Sequence, residues 1–333
     1  MNVTAKQIAR ELGVSEATVS LALNGRPGVS VRTKNRVLAC ARKLGYDLSR
    51  RDVHNTQPKT ICLVRHVRSI HEETPFFEEM LEGVQKSVVS SGNRFMSITV
   101  DATLDVDAQL QQLRRYQELG IIVTGTELLE SDWSHYAQLE RPAVVLDGYF
   151  PSLDVDFVTI NNIQGALRAS QILIDEGHGC PGRLASAVCL RNFEERRNGF
   201  MTVIHDAGYS SSRVIMHVLG ASVESAEREM SAEIESGKPL ASAYFADYDQ
   251  IAIGAVRAFL SHGIRVPEDV SVIGFDDIEM SRYLEPPLST MHVDKAYLGQ
   301  LAVERLLQIM EPGFHAPVRI DVSATFMRRG TTR

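Results

Sequence analysis

The sequence predicts a small all-α head, built as a helix-turn-helix, followed by a much larger α/β body of parallel sheets with crossover helices. Three observations carry this. Apolar residues recur at helical spacing through the first 46 residues and are punctuated by glycine; after residue 60 short aliphatic runs alternate with amphipathic stretches; and the chain's positive charge is gathered at its amino-terminal end.

The head follows in order. Ile8, Ala9 and Leu12 share one face of a first helix, and Gly13 ends it, because glycine enters the left-handed region without a Cβ penalty. Ser15 offers an oxygen to cap a second helix, whose Val19 and Leu23 turn back toward the first. Small Ala9 permits the two to approach closely. Ser30 caps a third helix over 33–44, which Gly45 closes.

In the body, runs at 61–64, 95–100, 121–123, 143–146, 158–160, 184–188, 214–218, 241–245 and 270–274 predict strands. A length of 333 residues with 44% hydrophobic content provides for two or three folding units. Ligands of such sheets sit at the carboxyl ends of the strands.

Charge and composition narrow the function. Residues 1–51 hold ten Lys and Arg against three carboxylates, a surplus of seven; the remainder holds 25 against 39, a deficit of 14, for −7 overall. A basic head on an acidic body suits local phosphate contacts and disfavours general polyanion binding. The structural alternative is a solvated helical bundle with a chance excess of charge. Cys40, Cys62, Cys180 and Cys189 have neither metal-ligand nor redox spacing, and the ten histidines include no His-Glu-x-x-His arrangement. No Walker, Rossmann or nucleophile-elbow pattern occurs, nor a signal region or an apolar run of membrane length. The expectation is a cytoplasmic protein that is not an enzyme and uses no cofactor, metal or membrane.

The motifs are Val3-Thr4, Ile8-Ala9, Gly13-Val14-Ser15, Thr18-Val19-Ser20, Leu23-Asn24-Gly25, Val29-Ser30 and Leu44-Gly45-Tyr46 in the head. Pro75-Phe76-Phe77, Gly177-His178, Glu195-Arg196 with Gly199-Phe200, the stretch 267–277 and Pro286-Pro287-Leu288-Ser289-Thr290 continue them in the body. On these the chain resembles the lactose-repressor (LacI/GalR) family of transcriptional regulators over nearly its whole length. The resemblance implies a homodimeric repressor of carbohydrate-uptake or catabolic genes, released from a palindromic DNA operator by a sugar-like small-molecule effector. A regulator dependent on a corepressor or partner protein is the alternative, and a cytosolic sugar-binding protein or enzyme a remoter one. It also implies a two-lobe, periplasmic-binding-protein-like body: 1–46 the DNA-binding domain, 47–59 the hinge, and 60–333 the effector-binding and dimerisation domain. Lobe 1 would take about 60–160 plus 293–322, and lobe 2 about 162–290 plus the C-terminal segment, with crossings near 160–162, 290–293 and 321–325. Hinge closure around a ligand follows when the ligand binds one state better. No heptad-rich tail follows, which disfavours a coiled-coil tetramer.

Site residues follow from the same resemblance. Glu16, Ala17 and Leu21 would face base edges, with Thr18, Ser20, Asn24, Ser30 and Thr33 on or near phosphates, and Thr4 and Ser15 in the same DNA-binding set. Many relatives have Arg at the place of Leu21; its loss removes a guanine contact worth about 1–3 kcal/mol of discrimination. In the family a linker leucine wedges into the minor groove. Here Asn55 stands in its place, in a linker shorter by about two residues, leaving Leu48 or Val53 as substitutes.

Phe76, Phe77, Arg196 and Asp276 match effector-binding positions, and Tyr248 replaces an amide with a ring and a hydroxyl. Asp276 follows a strand, where its carboxylate accepts from ligand hydroxyls or caps the next turn. Arg196 opens the helix carrying Gly199, and its fork suits hydroxyls, carboxylate or phosphate; pairing with Glu194 or Glu195 is the alternative. The segment 65–74 reads as a loop over the cleft, in which Arg65, His66, Arg68 or His71 meet an anionic or polyhydroxylated effector, or pair with Glu72 and Glu73.

Overall fold

The computed structural model describes residues 4–23, 29–44, 46, 58–68, 75–313 and 315–333. Asn24, Leu48, Val53, Asn55 and His71 lie outside the described residues. The chain divides into two units, Met1–Pro58 and Lys59–Arg333.

In the first unit α1 (Ala5–Leu12), α2 (Glu16–Leu23) and α3 (Val31–Leu44) form three short helices. Thr4 and Gln7 cap α1 reciprocally: the Thr4 amide donates to Gln7 Oε1 at 2.7 Å, and the Gln7 amide donates to Thr4 Oγ1 at 3.4 Å. Gly13 sits at φ 66, the left-handed stop expected of it. Ser15 Oγ accepts from the Thr18 amide at 3.0 Å, and Ser30 Oγ from the Thr33 amide at 3.2 Å. Because Ser30 caps directly, α3 starts two residues ahead of the expected 33. Ile8, Ala9, Val19, Ala22, Val37, Cys40 and Ala41 are buried together, and each large aliphatic among them contributes about 1.5–3 kcal/mol by leaving water.

The second unit is two lobes. The chain first runs through β1 (Thr60–Val67), α4 (Pro75–Ser90), β2 (Arg94–Asp101), α5 (Val106–Leu110), β3 (Leu119–Thr124), α6 (Trp133–Ala137), β4 (Ala143–Leu146) and β5 (Asp156–Ile160). It then crosses into α7 (Asn162–Asp175), β6 (Gly182–Ser186), α8 (Arg191–Asp206), β7 (Met216–Leu219), α9 (Val223–Glu235) and β8 (Ala243–Ala246). The same lobe continues with α10 (Asp249–Ser261), β9 (Ser271–Asp276), α11 (Met280–Tyr283) and β10 (Ser289–His292). A second crossing leads to α12 (Lys295–Ile309) and β11 (Arg319–Val322), and a third to β12 (Thr325–Met327).

The strand orders are β11-β5-β4-β3-β1-β2 in lobe 1 and β12-β10-β9-β8-β6-β7 in lobe 2. All pairings are parallel except β10 with β12. Central strands such as β3 and β9 are buried end to end, as a sheet covered on both faces requires. In lobe 1, α4 and α12 cross at Gly83 and Gly299: a Cβ on Gly83 would meet the Ala296 carbonyl at 2.6 Å, and one on Gly299 the Met80 carbonyl at 2.6 Å.

Two local readings need correction. Arg65, His66 and Val67 are strand, not loop: β1 continues beside Thr99, Val100 and Asp101 of β2, so backbone pairing holds them. Arg196 does not open its helix; α8 begins five residues earlier, at Arg191.

Candidate functional site

A cavity of about 420 Å³ lies where the strand ends of the two lobes face each other. Phe76, Phe77, Thr126 and Asp147 line it from lobe 1; Asn192, Phe193, Arg196, Tyr248 and Asp276 line it from lobe 2. Strand-terminal aspartates give it its chemistry. Asp147 follows β4, Asp247 follows β8, and Asp276 ends β9. Asp147 and Asp276 have φ of 62 and 104, left-handed values uncommon outside glycine, so their carboxyls are aimed by strained backbone.

Asp147 accepts from Thr126 Oγ1 at 2.6 Å and, across the cleft, from Asn192 Nδ2 at 3.1 Å. Burial raises its pKa to about 7, against the opposing pull of the Thr126 hydroxyl and the Arg196 charge. Asp276 accepts from Arg196 Nη2 at 3.1 Å; burial raises its pKa too, opposed by Arg196 and Lys295. Asp247 is held behind the cavity by Arg183, which donates at 2.9 and 2.8 Å, and by the Ser186 amide at 2.9 Å.

The Arg196 guanidinium is fixed on every side. Its Nε donates to Asn162 Oδ1 at 2.9 Å, its Nη1 to the Asp247 carbonyl, and its Nη2 to Asp276. Its Cζ lies 3.8 Å from the Phe275 ring centre, a cation–π contact away from bulk water. Neither Glu194 nor Glu195 pairs with it; Glu195 instead accepts from Asn162 Nδ2 at 3.0 Å. Asn162 is the first helical residue after the first crossing, so the cavity's cation is bonded to the connection between lobes. The second crossing is tied in similarly: Lys295 Nζ donates to the Asp277 carbonyl at 3.2 Å and lies 3.4 Å from Glu79.

Two aromatic pairs complete the walls. Phe76 and Phe77, in the first turn of α4, meet edge to face at 5.4 Å. Phe193 and Tyr248 stack with planes 1° apart and centres 5.2 Å apart, and the Tyr248 hydroxyl donates to the Ala221 carbonyl at 2.8 Å.

The structure thus brings Phe76, Phe77, Arg196, Tyr248 and Asp276 to one cavity. It leaves Arg65 and Arg68 off the lining: Arg68 lies 2.6 Å from Asp132 and its amide donates to Glu127, while Arg65 is held in β1. His66 is fully buried between Tyr136 and Asp132. Asp147, Asn192 and Phe193 were not singled out from the sequence. Leu146-Asp147-Gly148 carries the same signal as Phe275-Asp276-Asp277, an aspartate directly after a buried strand.

In the head, Thr4, Ser15, Glu16, Ala17, Ser20 and Ser30 are exposed, and Thr18, Leu21 and Thr33 are half-buried. The Ser15 and Thr18 hydroxyls lie 2.8 Å apart and those of Ser30 and Thr33 2.9 Å apart, so two helix starts each present a hydroxyl pair. Helix N-termini of this kind favour an anion.

Comparison with known proteins bears on both units. A family described as bacterial regulatory proteins, lacI family, matches residues 4–48, and a periplasmic binding protein-like domain matches 171–332. The ribose operon repressor of Haemophilus influenzae is 32% identical over 92% of this chain and 91% of its own length. The HTH-type transcriptional repressor PurR of Aliivibrio salmonicida is 31% identical over 94% and 93%. A solved complex of the transcriptional regulator CelR with cellobiose matches with a TM-score of 0.72 and 25% identity, covering 99% of this chain and all of that one.

Proposed function

This chain belongs to the LacI family of bacterial regulatory proteins, and from that premise we propose how it works: a cytoplasmic homodimer that represses by binding a palindromic operator and is released by a small sugar-like effector. It is a DNA-binding transcriptional repressor with a small-molecule effector, not an enzyme. Among the described residues no helix is long and apolar enough to cross a membrane.

The observation that carries the proposal is the cavity lined from both lobes. Asp147 and Thr126 come from one side, Arg196 and Asp276 from the other. A ligand bonded to both sides favours one lobe arrangement over another, which is the requirement for a ligand to shift an equilibrium. Three covalent crossings connect the lobes, and Arg196 and Asp277 are bonded to residues at two of them. In the head, α2 serves as the reading helix, with Glu16, Ala17 and Leu21 toward bases. The hydroxyls of Thr4, Ser15, Thr18, Ser20, Ser30 and Thr33 serve phosphates, fixing register without reading sequence.

The test starts with selection of bound duplexes from a random library by the full-length protein, followed by anisotropy titration of the enriched operator with candidate effectors. Release on addition of ligand supports induction; tighter binding would make the ligand a corepressor and overturn the release step. Linkage adds a second check, since an effector that lowers operator affinity by some factor must lose that factor in its own affinity when operator is bound.

A further inference from the structure

We infer that Glu195 and Arg319 form an ion pair between the lobes that positions Arg196 and sets the bias against which an effector works. The inference rests on the reading that the lobe arrangement governs operator binding, and it assigns the residues that hold one arrangement.

α8 belongs to lobe 2, yet one stripe of it is turned away from that lobe. Asn192, Glu195 and Gly199 follow one another at helical spacing, and each meets lobe 1 or a crossing. Asn192 Nδ2 donates to Asp147 Oδ1 at 3.1 Å, and Gly199 packs on the Ile163 carbonyl in the first turn of α7. Arg191, at the start of the same helix, lies over Phe150 of lobe 1 with its Cζ 5.6 Å from the ring centre.

Glu195 is the charged member of the stripe. Its Oε2 accepts from Asn162 Nδ2 at 3.0 Å, while Arg196 Nε donates to the other end of the same amide, Asn162 Oδ1, at 2.9 Å. Consecutive residues of α8 therefore hold Asn162, at the first crossing, from both ends. The second Glu195 oxygen, Oε1, lies 3.9 Å from Arg319 Nη2. Arg319 starts β11, the strand that leads into the third crossing, and it is anchored on lobe 1. Its Nε donates to Asp321 Oδ1 at 2.7 Å, and its Cζ lies 3.8 Å from the Tyr149 ring centre. The guanidinium is thus held from lobe 1 and turns Nη2 toward lobe 2.

Shielding decides whether such a pair counts. Fully exposed ion pairs contribute little, because water and salt screen them. Here the Glu195 side chain is 14% exposed and that of Arg319 28%, with Tyr149 against one face of the guanidinium, so the attraction acts in a partly shielded seam. Asn162 passes the position of Glu195 to Arg196, whose Nη2 reaches Asp276 in the cavity. A displacement of β11 against α8 and a ligand beside Arg196 therefore act on one set of bonds.

The test is a double-mutant cycle on the full-length protein, without effector, using the operator duplex selected from the random library. Glu195→Gln removes the charge and keeps an oxygen for Asn162; Arg319→Gln removes the partner. In Glu195→Gln, amide hydrogen exchange should rise by about threefold in peptides covering 161–166 and 319–325, with no further rise when it is added to Arg319→Gln. Raising NaCl from about 0.1 to about 1 M should close the exchange gap between Glu195→Gln and wild type, which loss of a neutral hydrogen bond would not do. Operator affinity should change by about threefold in Glu195→Gln, and again by nothing more in the Arg319→Gln background. A residue that merely supports the fold would lower the melting temperature and leave operator affinity alone. Arg265→Gln, which breaks a pair with Asp269 inside lobe 2, is the control and should leave both readouts unchanged. Independent effects of the two substitutions, a gap that survives the salt, or unchanged exchange in Glu195→Gln would overturn the inference. Faster exchange with unchanged operator affinity would leave the pair standing and overturn the reading on which it rests.

Discussion

Asp147 lends itself to a quantitative test because its carboxyl is both buried and bonded across the cleft. Its pKa rises from 3.8 to about 7, chiefly because burial removes water from the charged form. The folded state therefore keeps a proton that the unfolded chain releases between those values, and this group adds stability as pH falls from about 7 toward 4. At 1.36 kcal/mol per pH unit, its contribution at pH 5 exceeds that at pH 8 by about 2–3 kcal/mol. Asp147→Asn preserves the shape. Its amide can donate to Thr126 Oγ1 while its oxygen accepts from Asn192, so both bonds keep a partner, and the titration disappears. Carboxylates outside the cavity titrate alike in the two proteins, so the difference between their melting curves reports Asp147 together with its coupling to Asp276. With about 2 °C per kcal/mol for a unit of this size, the melting temperature of Asp147→Asn relative to wild type should fall by about 5 °C on going from pH 8 to pH 5. A relative melting temperature constant across pH 5–8 would refute the assignment of a proton to Asp147 in the folded state.

Four further outcomes follow from geometry. A Cβ at Gly199 falls on the Ile163 carbonyl between α8 and α7, so Gly199→Ala should cost about 1–3 kcal/mol, and an unchanged thermal melt would count against the packing described. Arg196→Met strips Asp276 of its ion pair while leaving it buried, and is expected to destabilise by about 3–5 kcal/mol in urea unfolding and to abolish the effector response of operator binding. Thr4→Val removes one half of a reciprocal cap and should lower head stability by about 1 kcal/mol, seen as faster amide exchange in α1 than in α3. Leu21→Arg should introduce a guanine preference of about 1–3 kcal/mol at one position of each half-site; a selected consensus identical to wild type would exclude Leu21 from the reading surface.

The nine strands expected from aliphatic runs are all present: seven are central parallel strands, which must be apolar on both faces, and the edge strands β2 and β7 carry aliphatic residues of their own. The three that went unread carry no such run. β11, Arg-Ile-Asp-Val, and β12, Thr-Phe-Met, are half-exposed edge strands; β10, Ser-Thr-Met-His, is buried yet polar. Its Thr290 hydroxyl is satisfied by the buried Asp249, and its Ser289 hydroxyl by Thr332 at 2.8 Å. Such tertiary partners have no local sequence signal. The site divides in the same way. Asp276 and Arg196 were legible through a family motif and Asp147 would have been through its place after a strand. That Arg196 is held by Asn162, Asp247 and Asp276, and that Arg68 turns to Asp132, depends on residues tens of positions apart.

The threefold crossing also governs the order in which the protein can come into being. β11 and β12, the outer strands of the two sheets, both lie within residues 319–327, so neither lobe has its full sheet until the ribosome has passed that point. The three head helices precede it by about 280 residues, which at about 5–20 residues per second is roughly a quarter of a minute to a minute of synthesis. A nascent chain can thus present a finished head while both lobes still await their last strand.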